Sequence, residues 1–172
     1  SYIFSGGPEP EALTGQGGSC SLPATGQTKC YNTSGTEIDC VNADWPGQDG
    51  SYQIGCPMEN RFTDNGDGTV TDNCTGLMWQ QETAPGGRRD WQQALHYCED
   101  LELAGHKDWR LPNVRELQSI VDYGRYSPSI DPVFSAESSW YWSSSSGVYG
   151  TSYPGGAWYV DFYSGDVYVE LK

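Results

Sequence analysis

The sequence predicts an α+β domain of two helices and antiparallel strands, preceded by a loop-rich extension that disulfide bonds hold together. Three patterns favour this class: an Asp-Gly hairpin within residues 61–73, two helix-capping sequences in the middle of the chain, and period-two alternation in the last third. Glycine and proline supply 22 and 10 of the 172 residues, so we expect many turns and few long helices.

The first predicted strands are residues 61–65 and 69–73. They flank Gly66-Asp67-Gly68, and an Asp-Gly pair between β-prone runs is a strong hairpin signal because glycine accepts positive φ. A turn then leads into a third, apolar strand at residues 77–79.

Two helices are predicted from their capping boxes. Asp90 with Gln93 begins the first, which we expect to reach Gly105. Asn113 with Glu116 begins the second, which we expect to end near residues 122–124.

The last third of the chain predicts strands at residues 140–142, 157–162 and 166–171. Ser164-Gly165 joins the last two, and a loop of about fourteen residues follows Trp142, longer than most hairpin connections. We expect four side chains in the core: Trp142, Trp158, Val160 and Phe162.

The cysteines form an even set without zinc-finger spacing, which favours disulfides and an oxidising compartment. Six cysteines allow fifteen pairings, and spacing alone does not choose among them. We expect Cys30–Cys40, Cys20–Cys56 and Cys74–Cys98, the last because Cys98 lies on the core-facing stripe of the first helix. Residues 1–58 are predicted to form the disulfide-bonded extension, and residues 59–172 are predicted to form the α+β domain.

The net charge of −14 excludes several classes of partner. Nucleic-acid binding needs a basic face, and attraction to anionic lipid or sulfated polysaccharide is opposed for the same reason. Because no run of 18 or more apolar residues occurs, membrane insertion is not expected.

Several strings in the chain resemble one family. They are Arg61–Asn73, Thr75–Trp79, Ala104–Asn113, Glu116–Tyr123, Tyr141–Ser144 and Ala157–Phe162. Together they resemble the Lcl-C family, the C-terminal domain of Legionella collagen-like adhesins, over about residues 59–171. The resemblance implies a C-type-lectin-like fold and a secreted or surface-attached bacterial protein. The family's best-known member binds sulfated glycans, a role that the acidity of this chain opposes.

Tyrosine, tryptophan, serine and glycine are concentrated in residues 138–168, which is a composition typical of binding surfaces. The alternative is that these aromatic residues only line strands and fill the core. The candidate ligand contacts are Trp140, Tyr141, Tyr149, Tyr153, Tyr159 and Tyr163.

No metal or other cofactor is expected, although calcium remains a weak alternative. Its candidate ligands are Asp64, Asp67 and Asp72, which do not match an EF-hand loop, or a second set of Asn42, Asp44 and Asp49. Arg110 is expected to have a structural role, paired with Asp108 or Asp122.

The chain is therefore predicted to be a non-enzymatic, extracellular recognition or adhesion module that binds a glycan or protein on a cell surface. It has two histidines and no nucleophile elbow or phosphate loop. The alternative is a structural subunit of an extracellular filament or surface assembly. Self-association would then use Tyr2-Ile3-Phe4 or an exposed strand edge.

Overall fold

The computed structural model describes residues 22–41, 44–149 and 153–172, without the side chains of residues 148, 149, 153 and 154. The extension contains β1 (Cys30–Tyr31) paired antiparallel with β2 (Glu37–Ile38), followed by the short helix α1 (Asp49–Tyr52). The side chain of Asn32 accepts backbone hydrogen bonds from Ser34 and Thr36 and shapes the intervening turn. The predicted Cys30–Cys40 disulfide closes this turn and is confirmed, with the Cα atoms 5.1 Å apart.

The predicted Asp-Gly hairpin is confirmed and forms the first part of a three-stranded antiparallel sheet. Its strands are β3 (Phe62–Asp64), β4 (Thr69–Asp72) and β5 (Met78–Gln80), in that order. The carboxylate of Asp64 accepts from the backbone N–H of Gly66, and that of Asp67 accepts from Thr69. Both carboxylates therefore stabilise the turn that the sequence predicted.

Both predicted capping boxes are present. Helix α2 (Trp91–Glu99) begins at Asp90 and α3 (Val114–Ser119) begins at Asn113. Helix α2 ends at Glu99, six residues before Gly105. Gly105 lies with Ala104 in a separate turn, where both residues adopt positive φ and Leu103 and His106 exchange backbone hydrogen bonds.

The third sheet differs from the prediction in the length of its strands. It has the order β6 (Trp140–Tyr149), β7 (Tyr153–Asp161) and β8 (Asp166–Leu171), all antiparallel. Most of the predicted loop after Trp142 is instead an extended hairpin with register shifts between Trp142 and Val148. An added Cβ at Gly147 or Gly156 would lie 2.9 or 2.8 Å from Cγ1 of Val169, so close packing against β8 explains why these strand positions are glycine.

Two buried clusters cover different parts of the third sheet. The larger cluster joins β4 and β5 to α3 and to Val160 and Phe162 of the third sheet and its following turn. The smaller one packs Ala94 and Cys98 of α2 against Trp142 and against Ala157 and Tyr159 on β7. The predicted core positions Trp142, Val160 and Phe162 are buried, whereas Trp158 is half-buried.

Two of the three predicted disulfides are wrong. Cys56 is bonded to Cys74, with the Cα atoms 5.9 Å apart, which rules out both Cys20–Cys56 and Cys74–Cys98. Cys98 is fully buried against the third sheet, whereas Cys74 lies in the turn between β4 and β5 on the side of the extension. Cys20 lies outside the described residues.

The extension is attached to the domain by hydrogen bonds as well as by the disulfide. The backbone N–H of Tyr123 donates to the carbonyl of Thr25, and the amide of Gln27 donates to the carbonyl of Tyr123. Gly26 adopts a positive φ and lies so close to Asp122 that a side chain at this position would collide with the carboxylate. In the described part of the chain, the helices are too short and too polar to cross a bilayer.

Candidate functional site

Three aromatic rings form a row across the strands of the third sheet. Trp140 on β6 stacks on Tyr159 of β7 with centroids 5.1 Å apart, and Tyr159 lies 5.7 Å from Tyr168 of β8. Tyr159 and Tyr168 are direct partners in the strand register, while Trp140 is diagonal to Tyr159. The rings therefore stand on one face of the sheet, in contact with one another.

The two outer rings of this row are accessible and the central ring is not. Trp140 and Tyr168 are 44% and 49% exposed, whereas Tyr159 is 7% exposed. Sequence alternation predicted Tyr159 to be a ligand contact, but its ring is enclosed by Trp140, Trp142 and Tyr168 and belongs to the buried cluster that includes α2. Tyr159 therefore contacts both exposed rings but has little accessible surface of its own.

Two carboxylates continue the same face toward the β7–β8 turn. Asp161 pairs directly with Asp166 in the strand register, and Asp161 also pairs with Trp140. The indole N–H of Trp140 donates to Asp161 Oδ2 at 3.1 Å, which fixes the orientation of the ring. We call Trp140, Tyr159, Tyr168, Asp161 and Asp166 the aromatic–acidic face.

A second pair of rings lies beside this face. Tyr126 and Tyr163 make an edge contact with centroids 4.6 Å apart, and they are 64% and 47% exposed. The backbone N–H of Tyr163 donates to Asp161 Oδ1 at 2.9 Å, which holds this turn against the aromatic–acidic face.

The carboxylates impose a negative field on the two phenols of this face. The charge of Asp166 raises the pKa of Tyr168, with partial burial and Asp161 acting in the same direction. Burial raises the pKa of Tyr159, and the charges of Glu170 and Asp161 add to this effect. Both phenols therefore stay protonated and neutral at physiological pH.

Tyr141 was predicted as a contact, but it is fully buried. Its hydroxyl is 2.6 Å from that of Thr83 and accepts from the backbone N–H of Glu137 at 2.8 Å, and its ring packs on Phe162. The residue thus belongs to the core, because it points to the opposite face of β6 from Trp140.

Tyr149 and Tyr153 end β6 and begin β7, where they are backbone partners. Their side chains lie outside the described part of the structure, so their role as contacts stays a prediction.

Two further accessible rings, Tyr168 and Tyr126, are not among the predicted contacts. Tyr168 lies within the aromatic-rich region of residues 138–168. The period-two pattern of β8, together with its pairing with β7, places Tyr168 opposite Tyr159. Tyr126 lies outside that region, and no local sequence signal connects it to Tyr163.

The carboxylates of the first hairpin have separate structural roles. Asp64 and Asp67 accept turn hydrogen bonds, and Asp72 forms a buried ion pair with Arg61. In the ranges described, no group of three His, Cys, Asp or Glu side chains could hold a metal ion. Asn42 of the other weak calcium set lies outside these ranges.

Arg110 has a structural role with a different partner from the predicted one. Its guanidinium donates to both carboxylate oxygens of Glu116, at 2.8 and 2.7 Å, rather than to Asp108 or Asp122. Glu116 also accepts from the backbone N–H of Asn113, so the ion pair is fixed to the first turn of α3. Asp122 instead pairs with Arg125.

These features define a disulfide-bonded α+β domain, and the family match that follows associates it with surface or adhesin-related modules. The family model for the Lcl C-terminal domain matches residues 68–172. The chain therefore belongs to this family. The match begins at the turn between β3 and β4, so it omits β3. Comparisons with curated proteins and with solved structures gave no match.

Proposed function

We propose that the chain is a secreted, non-enzymatic recognition module of a bacterial surface that holds a glycan or protein ligand on its aromatic–acidic face. The observation that carries this proposal is the row of three rings, in which Trp140 and Tyr168 are exposed and Tyr159 is the buried support. Membership of the Lcl family and the two disulfides support an extracellular role. We also propose that the domain has the C-type-lectin-like fold that the family resemblance implies.

The aromatic–acidic face is preorganised for binding. Trp140 is held by stacking on Tyr159 and by its hydrogen bond to Asp161, so its ring loses little freedom when a ligand arrives. Tyrosine and tryptophan provide large contact areas at low entropic cost. Both planar sugar faces and protein side chains pack on such rings.

Substitution of the two exposed rings tests this proposal. Binding of the chain to an array of neutral and acidic glycans and to fixed bacterial and animal cells would be compared with that of Trp140→Ala and Tyr168→Ala. Each variant should lose most of its binding, because truncating a central aromatic contact typically costs about 2 kcal/mol or more. The control is Tyr52→Ala, which removes an exposed ring of α1. Unchanged binding by both ring variants would contradict the site.

A second candidate is a structural subunit of an extracellular assembly, and the edge of the third sheet favours it. In the described residues, β8 pairs with β7 alone, which leaves its other edge able to accept a further strand. Tyr2-Ile3-Phe4, predicted as the docking segment, lies outside those residues. Sedimentation of the chain with and without residues 1–10 tests this role, and a monomer in both cases would refute it.

A further inference from the structure

We infer that the ligand group bound by the aromatic–acidic face is an organic cation, namely the arginine or lysine side chains of a basic protein segment. This inference rests on the proposed function and specifies its ligand. Three observations support it. The rings are accessible, two aspartates lie beside them as partners in the strand register, and the described residues place no basic group in an ion pair with either aspartate.

The rings offer cation-binding surfaces. A cation is attracted to the face of tryptophan or tyrosine because the ring quadrupole is negative there. Trp140 and Tyr168 each leave close to half of their surface open, and they flank the buried Tyr159.

The carboxylates stand where such a cation would need a counter-charge. Asp161 and Asp166 face each other directly across β7 and β8, and like charges in this position destabilise a sheet. Each aspartate is two residues along its strand from a ring of the row, on the same face. A bound cation would relieve the repulsion and contact the rings at the same time. The raised pKa of Tyr168, caused first by Asp166, is consistent with this negative field.

The chain does not supply this cation from its own described residues. The basic groups that lie over aromatic rings there are Arg61 over Phe62, Arg89 over Tyr97 and Lys172 over Trp91. None of the ion pairs among the described residues involves Asp161 or Asp166. The nearby cation Arg125 is paired with Asp122. Lys172, 4.0 Å from the centroid of Trp91, is an example within this molecule of the contact that we infer for Trp140.

Charge selects the basic segment over other occupants. A second copy of the chain would bring another net charge of −14 to an acidic surface, and a sulfated glycan would bring its own anions. A basic segment is attracted by both the local carboxylates and the total charge. It also presents several cations in sequence, which suits a surface with two exposed rings.

The inference is tested with a short peptide of alternating arginine and glycine, and with the same peptide carrying neutral citrulline in place of arginine. Binding would be followed by the fluorescence of the chain and by calorimetry, with a chelator present so that no metal bridges the carboxylates. The arginine peptide should bind and the citrulline peptide should not. Affinity should fall as salt is added, because the contact is exposed and electrostatic.

Two variants and a control locate the site. The double variant Asp161→Asn with Asp166→Asn should weaken binding of the arginine peptide by about fivefold. Tyr168→Ala should weaken it by about two- to fivefold. Glu37→Gln with Asp39→Asn makes the same change of net charge in the extension and should weaken binding much less, because it leaves the carboxylates beside the rings in place. Equal binding of both peptides, or an equal loss with the control, would overturn the inference.

The result also separates this inference from the proposed function. If glycan or cell binding needs Trp140 and Tyr168 but neither peptide binds, the inferred ligand class is wrong, whereas the proposed binding site is supported. If cell binding survives both ring substitutions while the arginine peptide still depends on them, the site binds cations but does not carry the adhesion. If the peptide binds only at other carboxylates, the location is wrong.

Discussion

The guanidinium of Arg61 donates to both carboxylate oxygens of Asp72, at 2.8 and 2.6 Å, with both side chains fully buried. Arg61 also donates to the carbonyl of Ser119 at the end of α3, and Asp72 accepts from the hydroxyl of Thr75. The pair therefore connects the sheet of β3, β4 and β5, the turn that follows β4, and helix α3. Because the other member of the pair is the counter-ion of each buried charge, the loss of one partner leaves a buried charge without its counter-ion.

Removal of one member of this pair should be strongly destabilising. We expect Arg61→Leu to lower the free energy of unfolding by about 3–5 kcal/mol, measured by denaturant titration. The control is Lys29→Gln, which breaks the half-exposed Lys29–Glu37 pair and should cost less than about 1 kcal/mol. Similar losses in the two variants would show that burial does not set the strength of the Arg61–Asp72 pair.

Acid should weaken the fold through Glu116. Burial alone would raise the pKa of this carboxyl, but hydrogen bonds from Arg110 and the backbone of Asn113, with the charge of Arg110, lower it overall. A depressed pKa in the folded state contributes stability above the unfolded value of about 4.3, and that contribution is lost as the pH falls through the folded pKa. Glu116→Gln should therefore reduce stability at pH 7 by about 1 kcal/mol and flatten its decline in acid. A variant with the parental pH profile would contradict this assignment.

The Cys56–Cys74 disulfide should contribute to the free energy of unfolding as well as to local order. Its loop of 18 residues is worth roughly 3 kcal/mol by chain-entropy arithmetic. In the double variant Cys56→Ser with Cys74→Ser, we expect this loss together with faster proteolysis of the extension. The matched comparison is Cys30→Ser with Cys40→Ser, which should loosen only the β1–β2 turn. Peptide mapping without reduction would recover Cys56 and Cys74 in one linked fragment, and a Cys74–Cys98 fragment would refute the pairing.

Gly147 should tolerate a side chain only when β8 is trimmed. An added Cβ would lie 2.9 Å from Cγ1 of Val169, so Gly147→Ala should destabilise the chain by about 1–3 kcal/mol. The double variant with Val169→Ala should recover part of that loss relative to the sum of the single variants. Strict additivity in thermal unfolding would show that the two positions do not touch.

The phenol of Tyr168 reports the field on the aromatic–acidic face. Asp166 is the largest cause of its raised pKa, so Tyr168 should ionise at higher pH than a free tyrosine. In Asp166→Asn the pKa should fall toward its ordinary value, as followed by NMR of the labelled ring. The control Asp39→Asn should not move the titration, and an unshifted Tyr168 in Asp166→Asn would locate the field elsewhere.

Much of the local structure could be predicted because its signals lie within a few residues of each other. The Asp67-Gly68 turn and the boxes at Asp90 and Asn113 are local hydrogen-bond patterns, and all three were predicted correctly. The long hairpin of β6 and β7 was not predicted because serine and glycine obscure the alternation of its strands. The glycines at 147 and 156 are explained by close packing on Val169, which is distant in sequence.

Composition points to a candidate site in the last third of the chain but does not resolve it residue by residue. Alternation correctly separates the two faces of β7, yet it assumes that one face is open to solvent. Here neighbouring rings and the buried cluster around α2 enclose Tyr159, and the exposed rings are those of neighbouring strands. Which strands are neighbours, like which cysteines meet, is decided by tertiary contacts far apart in sequence.

The Cys56–Cys74 bond also sets the route by which tension would pass through the molecule. Leu22 and Ala24 are hydrogen-bonded to the backbone of Cys56, and Cys56 is bonded covalently to the turn that follows β4. A pull on the extension would therefore be transmitted across the sulfur bridge, and the hairpin enclosed between residues 56 and 74 would carry almost no load. For a module anchored at one end and held by its ligand at the other, such a bypass would keep Arg61 and Asp72 together under shear.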